Sequence, residues 1–280
     1  MSLFVTSLNS GSNGNCFYVG TPSEAVLIDA GISCREIQKR MNRLDLSLKN
    51  VRGVFITHEH SDHIRGLEIL TKKFDLDVYI NPGTLRNSGL KLDSKKIRKI
   101  SHHQVISFQE LQVTAFPKSH DAADPVSFVV ESGETTVGIF TDIGVACEEV
   151  TRQFRRCHAA FLETNFDESM LENGNYPPHL KKRIRGDQGH LSNQEAYELF
   201  RNHRPEFMTH LFPSHLSENN NHPDLVKRLF DTEPSGVKVI LASRYQEIPV
   251  CQISATASGN IIPPPKSPGR SSQLSLPFQA

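Results

Sequence analysis

Short apolar runs separated by turn residues dominate the first third of the chain. SLFVTSL and NCFYVG read as two β-strands joined by the turn-rich SGSNG. EAVLIDAG is a buried strand that ends in an acid and a glycine. The period then changes. Ile37, Met41 and Leu44 recur at i, i+4 and i+7, and Ser33 and Glu36 have capping-box spacing, so SCREIQKRMNRL predicts an amphipathic helix. VRGVFIT predicts a strand, and IRGLEILTKKF, beyond a polar loop, a helix.

The pattern repeats more loosely downstream. DVYI, LQVTAF, PVSFVVE, TTVGIFT and HAAFLET predict strands, with helices at PGTLRNSGL behind Asn81 and at VACEEVTRQFRRC. Ser192 and Glu195 form a second capping box that opens NQEAYELFRNH. EFMTHLF predicts a strand and PDLVKRLF a helix with Pro223 in its first turn, and VKVILA and IPVCQI are closing strands. Antiparallel-like runs mixed with helices imply an α+β sandwich of sheets covered by helices. We expect one folded domain over 1–254. Residues 255–280 are rich in Pro, Ser and Gly and predict a disordered tail.

Composition narrows the function by exclusion. The 280 residues are enough to bury a full core. Lysine plus arginine equals aspartate plus glutamate, so a nucleic-acid partner needs a local basic patch. No apolar run approaches the roughly 20 residues that span a bilayer, which predicts no membrane association. The first residues, MSLFVTSLNSGSNGN, lack the pattern of a secretory signal. Cys16, Cys34, Cys147, Cys157 and Cys251 form no CxxC pair, which suits reduced thiols and a cytoplasmic location.

The densest chemistry lies in THEHSDH, between a predicted strand and a predicted helix. His58, His60 and His63 crowd there with Glu59 and Asp62. A divalent cation is the usual means of holding so many imidazoles and carboxylates together. Residues 58 and 60 alternate along an extended loop, while 62 and 63 turn into the helix, so the spacing suits two metals side by side. Further donors stand at predicted strand ends: His120 after LQVTAFPKS, Asp142 after TTVGIFT and His215 after THLFPS.

In that order, HEHSDH, His120, Asp142 and His215 resemble the metallo-β-lactamase-fold hydrolases. The resemblance implies a four-layered αβ/βα sandwich with a two-metal site at the sheet edges. It implies that His58, His60 and His120 hold one ion, that Asp62, His63 and His215 hold the other, and that Asp142 bridges them. Asp142 where other branches carry Cys points toward phosphodiesterases and nucleases. Two such ions activate water and clamp a phosphate, with Asp62 orienting the nucleophile. SLNSGSNGNCFYV, LIDAGIS, SHDAADPVSF, LETNFD, GDQGHLSN and SHLSENN together resemble the YycJ/WalJ branch, which implies 5′-to-3′ exonuclease action on double-stranded DNA. Zinc, manganese and iron all suit the donors. His190 resembles the histidine that related RNA-processing nucleases set beside the scissile phosphate, and it stands at a helix entrance that favours phosphate.

Other residues are candidates on local grounds. Lys181, Lys182, Arg183 and Arg185 form the densest basic run and can grip a phosphate backbone. Asn15, in the SGSNG turn, is a candidate substrate contact. Asp29, Asn165, Asn219 and Asn220 are candidates for orienting the histidines. Competing functions are a phosphodiesterase for a small cyclic phosphate or RNA ends, a glyoxalase-type thioesterase, and a metal-stabilised DNA-binding module without turnover. Finally, QLSLPF at 273–278 resembles the peptides that dock bacterial proteins on the sliding clamp. Gln273 would hydrogen-bond in a small pocket, while Leu274, Leu276 and Phe278 supply the apolar contacts.

Overall fold

Two seven-stranded sheets form the centre of the computed structural model, which describes residues 1–232 and 236–255. The first sheet contains β1 (Ser2–Asn9), β2 (Cys16–Gly20), β3 (Ala25–Ile28), β4 (Val51–Phe55), β5 (Asp77–Ile80) and β6 (Ile97–Lys99) side by side. The second contains β7 (Val105–Ser107), β8 (Gln112–Pro117), β9 (Val126–Ser132), β10 (Thr135–Phe140), β11 (Ala159–Glu163), β12 (His210–Ser214) and β13 (Lys238–Val239). The last strand, β14 (Cys251–Ser254), returns to the first sheet and pairs antiparallel with β1. Each half begins with an antiparallel meander and continues with parallel strands. The switch comes at β3–β4 in one sheet and at β10–β11 in the other.

Alternation along the strands fills the layers. Val126, Phe128 and Val130 of β9, with Val137 and Ile139 of β10, meet Phe17, Val26, Ile28 and Phe55 between the sheets. The intervening Val129 and Phe140 face outward. Strands buried on both faces therefore read as nearly continuous apolar runs.

The helices cover those outer faces. α1 (Cys34–Arg43) buries Ile37 and Met41 on the first sheet. α2 (Ser61–Ile64) and α3 (Leu67–Phe74) follow β4, and α4 (Pro82–Asn87) follows β5 behind its Asn81 cap. α5 (Glu148–Phe154), α8 (Asn193–His203) and α9 (Pro223–Phe230) cover the second sheet through Val150, Phe154, Phe200 and Phe230. α6 (Glu168–Asn173) and α7 (Pro178–Arg185) form a small satellite around Phe166, Leu171 and Ile184. The result is the four-layered α+β sandwich. No helix among the described residues is long and apolar enough to cross a membrane.

Several boundaries differ from expectation. The predicted helix at 64–74 is broken at Gly66, whose N–H leaves the helical ladder for the Ala30 carbonyl (2.8 Å). The strand expected from Glu206 begins only at His210, because a turn closes from Met208 N–H to Pro205 O. Pro249 has no N–H to donate, and the last strand starts after it, at Cys251. Pattern alone missed the edge strands β6 and β7, which are short and largely exposed, and α7, which buries only Ile184.

Candidate metal centre

The site is built where strands end. Asp29 follows β3, the Thr57–His63 loop follows β4, and His120, Asp142 and His215 follow β8, β10 and β12; Glu163 is the last residue of β11. Asp29, Asp142 and His215 have φ of 61°, 54° and 55°, the left-handed region that costs most residues energy. Such strain persists only where the surroundings over-determine it, and three of the six described non-glycine residues with positive φ stand at this edge.

The β4 loop is held rigidly. The Asp62 carbonyl accepts from Asn15 N–H (2.7 Å) and the His63 carbonyl from Ala30 N–H (2.8 Å). Gly31 allows this approach, since a Cβ there would lie 1.6 Å from the Asp62 oxygen. Buried Asp29 accepts from Thr57 N–H (2.9 Å) and Thr57 Oγ1 (2.8 Å), and its Oδ2 lies 2.7 Å from His63 Nδ1. That contact orients the His63 ring and leaves Nε2 for the site.

Donor atoms converge in overlapping groups, two of which correspond to the expected pair of ion sites, while Asp142, Glu163, His190 and His215 form another and His58, His63 and Asp142 a further one. One atom each from His58, His60 and His120 lie within 4.8 Å of one another, and so do one each from Asp62, His63 and His215. Asp142 stands between them. Its carboxylate oxygens lie 3.1 Å from His63 Nε2, 3.3 Å from His215 Nδ1 and 3.8 Å from His120 Nε2.

The electrostatics suit a cation. Burial, reinforced by His63 and Lys118, pushes His58 far below the ordinary histidine range. Burial likewise brings His120 down to about 4. Burial opposes charge on Asp62 and Asp142, but His63 and His215 outweigh it and keep both acids ionised. His58, His120 and the two carboxylates are thus in the forms a metal binds, whereas the same carboxylates overcome burial and raise His63 and His215, whose protons a bound cation would displace. His120 Nε2, His215 Nε2 and Asp142 Oδ2 are buried and make no hydrogen bond. Orphaned lone pairs of this kind are costly inside a protein, and a divalent cation would satisfy them together. The donor set fits such an ion.

Glu163 is the main member that sequence reasoning missed. It is fully buried, and Oε1 lies 2.8 Å from both His190 Nδ1 and His215 Nδ1. Burial opposes its charge, yet His190 and His215 bring its pKa down to about 2. The available signal was an acid closing an apolar strand, the same signal that exposed Asp142. Lys118 was missed too. It is buried, and its Nζ donates to the Thr141 carbonyl at 2.6 Å.

The remaining candidates divide. His190 joins the cluster, with its ring centroid 5.2 Å from His120 and 5.4 Å from His215. Asn15 is buried, with its amide nitrogen 3.3 Å from Asp62 Oδ2 and 3.2 Å from His63 Nε2, so it forms the wall of the site and no exposed substrate contact. Asn165 donates to the His215 carbonyl (2.9 Å). Asn219 is exposed and bonds the Tyr176 hydroxyl, while Asn220 supplies its carbonyl to Asp167 N–H. Neither reaches a histidine of the cluster, because their turn is held toward α6. Neighbouring Asn221 instead ties the turn inward, through the Thr164 and Asn165 carbonyls (2.8 and 3.0 Å).

The basic run is helical, and much of its charge is already paired. Arg183 pairs with Asp121, and Arg185 with Glu168 (2.9 Å) and Glu172 (2.8 Å). Lys181 donates to the Glu172 carbonyl, and Lys182 is exposed. Gln273, Leu274, Leu276 and Phe278 lie outside the described residues.

Comparison with known proteins agrees with this geometry. A family model described as "Beta-lactamase superfamily domain" matches residues 24–215. Exodeoxyribonuclease YycJ of Bacillus anthracis is 34% identical over 232 residues, covering 81% of this chain and 87% of that protein. Exodeoxyribonuclease WalJ of Streptococcus pneumoniae is 31% identical over 223 residues, covering 78% and 83%. Among solved structures, the metallo-β-lactamase fold protein YhfI from Bacillus subtilis superposes with a TM-score of 0.67 at 16% identity, covering 88% of this chain and 98% of its own. Zinc-bound PqqB from Methylobacterium extorquens also gives 0.67, at 15% identity, covering 88% and 99%. At those identities the structural likeness bears on the fold.

Proposed function

Because the chain belongs to the beta-lactamase superfamily and is a metal-dependent hydrolase, we propose that it is a 5′-to-3′ exonuclease acting on double-stranded DNA in repair or replication, in the cytoplasm. Support comes from the exodeoxyribonuclease names of two relatives that match most of the chain. The observation that carries the chemistry is the pair of donor groups joined by Asp142.

In this proposal His58, His60 and His120 hold one divalent ion, and Asp62, His63 and His215 the other, with Asp142 shared. Bound there, such ions polarise a phosphoryl oxygen and ease deprotonation of water. The chain's own groups do the rest. Asp62, partly exposed among buried neighbours, orients the attacking water. Glu163 holds His190 through Nδ1, which leaves Nε2 to donate a proton to the leaving 3′ oxygen. Lys182 and Lys181, on α7, meet the phosphate backbone beyond the cut.

The decisive assay offers metal-loaded protein an end-labelled duplex, single-stranded RNA and a cyclic phosphodiester, beside an Asp62→Ala control. Release of nucleotides from 5′ ends of the duplex, absent in the control, is expected. Turnover confined to RNA or to the cyclic compound overturns the DNA assignment. The peptide 273–278 is assigned by its sequence alone to a sliding clamp. Deleting 272–280 should abolish clamp binding and spare cleavage of short DNA; clamp binding that survives the deletion refutes it.

A further inference from the structure

One rim of the metal edge carries chemistry that the roles above leave unused. The loop between β1 and β2 is bound to the ligand loops: Ser10 Oγ accepts from His215 N–H (2.8 Å), and Asn15 reaches Asp62 and His63. The same loop is bound on its other side to the turn at 243–245. Ser10 N–H donates to the Ser243 carbonyl (3.0 Å), and Asn13 Nδ2 donates to the Arg244 carbonyl (2.8 Å). The turn therefore stands one short loop away from His215.

Two adjacent residues there carry groups that the fold does not fully use. Tyr245 is 74% exposed, the second most exposed of the large hydrophobic residues described. Its backbone is nonetheless pinned. The carbonyl accepts from Arg40 Nη2 (3.2 Å), while Nη1 of the same buried guanidinium binds the Leu8 carbonyl and Asn9 Oδ1, both at 2.7 Å. The Tyr245 N–H donates to Ser243 Oγ (3.1 Å). The fixed backbone presents the ring in water at a defined place, where it forgoes burial, and tyrosine is among the residues enriched at binding hot spots. Arg244 is the converse. Its side chain is 11% exposed and packs against Gly11, yet Nη1 is buried without a hydrogen bond, 3.4 Å from Glu218 Oε2. That long ion pair to a largely exposed carboxylate is weak, so a phosphate can replace Glu218 and make the charge-assisted hydrogen bond that the nitrogen lacks.

We propose that the 243–245 turn is a nucleotide-holding subsite, in which Tyr245 stacks on a base of the strand being cut and Arg244 binds a neighbouring phosphate. This deepens the nuclease assignment and rests on it. Stacking on an aromatic face tolerates any base, as a nuclease that advances along DNA requires. A phosphate contact beside it sets the register of the strand without reading sequence. The pair thus holds the strand from the rim that Ser10 links to His215.

The test uses the full chain loaded with metal, as wild type, Tyr245→Ala, Tyr245→Phe and Arg244→Gln. Substrates are 5′-labelled duplexes in which an abasic unit is walked through the first few nucleotides. Binding of the same oligonucleotides is read by fluorescence anisotropy in an Asp62→Ala background. Tyr245→Ala should weaken binding and raise KM about 5- to 100-fold, the range of base–aromatic stacking, with a smaller effect on kcat. Tyr245→Phe should keep near-wild-type values. An abasic unit at one position should cost the wild type a similar factor and cost Tyr245→Ala nothing more. Arg244→Gln should reduce the salt slope of binding by about one phosphate's worth, ~0.7–0.9. If DNA is cut but Tyr245→Ala matches wild type, or its loss is the same on every abasic substrate, the subsite is overturned and the nuclease assignment stands. If oligonucleotides bind with this base dependence but none is cut, the nuclease assignment falls and the subsite stands. A wild type that neither binds nor cuts overturns both.

Discussion

The β1–β6 half delivers His58, His60, Asp62 and His63 from a single loop, while the β7–β13 half delivers His120, Asp142, Glu163 and His215 one at a time, from the ends of β8, β10, β11 and β12. The two halves share a plan, an antiparallel meander followed by parallel strands. They differ in how far apart along the chain their donors lie. A loop donor is positioned by its immediate neighbours, as the Asp29–Thr57–His63 contacts illustrate. A strand-end donor is positioned by the whole sheet, so its role depends on pairing between segments tens of residues apart. The second half also contains Asp142, the acid that lies against both donor groups, and Glu163, which holds His215 and His190.

The largest effect should come from Asp142. If the second half supplies the coupling, Asp142→Ala should strip metal from both groups, and His60→Ala from one only. Metal content after dialysis, read by mass spectrometry, checks this. Equal loss in the two variants would erase the distinction. Next is His190→Ala, which should keep its metal and lose roughly 10²- to 10⁴-fold in turnover; unchanged turnover removes it from the chemistry.

Glu163→Gln preserves shape and removes charge. With both His190 and His215 leaning on that carboxylate, metal affinity should fall about 10- to 100-fold, measured by competition with a chelator. Neutralising Lys181 and Lys182 should lower the salt slope of DNA binding by at most about two contacts. Adding Arg183 and Arg185 to that change should do little more, since both are already paired with acids. A proportional fall across all four would show that DNA displaces those acids.

The smallest effect separates two histidines of one strand. His210 opens β12 at the far edge and is stacked on Phe212 (5.9 Å, 13°), whereas His215 follows β12 at the metal edge. Burial and Lys238 push His210 down to about 4, while the carboxylates around His215 overcome burial and raise it to about 10. Because the folded His210 binds its proton less readily than the unfolded chain, its stabilisation is complete above about pH 6.5 and is lost as pH falls toward 4. His210→Asn should therefore close the gap in melting temperature to wild type as pH drops from 7 to 4.5. A gap that is constant with pH would mean that His210 does not titrate in this way.

What was legible in the sequence follows from the same contrast. THEHSDH could be read because its donors lie within one turn of chain, and the helix caps at Ser33, Asn81 and Ser192 because capping is a contact between near neighbours. The main strands were legible because double-sided burial leaves continuous apolar runs. Edge strands and α7 were not, since a half-exposed element needs little apolar patterning.

The sequence by itself determined the donor types, the order of the strands and the fact that several strands end in an acid or a histidine. Only the tertiary structure decided which of those ends meet. It placed Glu163 and Lys118 at the centre, turned Asn15 into a buried wall residue, sent Asn219 to Tyr176, and set Arg183 against Asp121. The physical reason is range. Periodicity and capping act over a few residues and are written in the local sequence, whereas the partners of a strand-end side chain are fixed by sheet register and by loops that pack from distant parts of the chain.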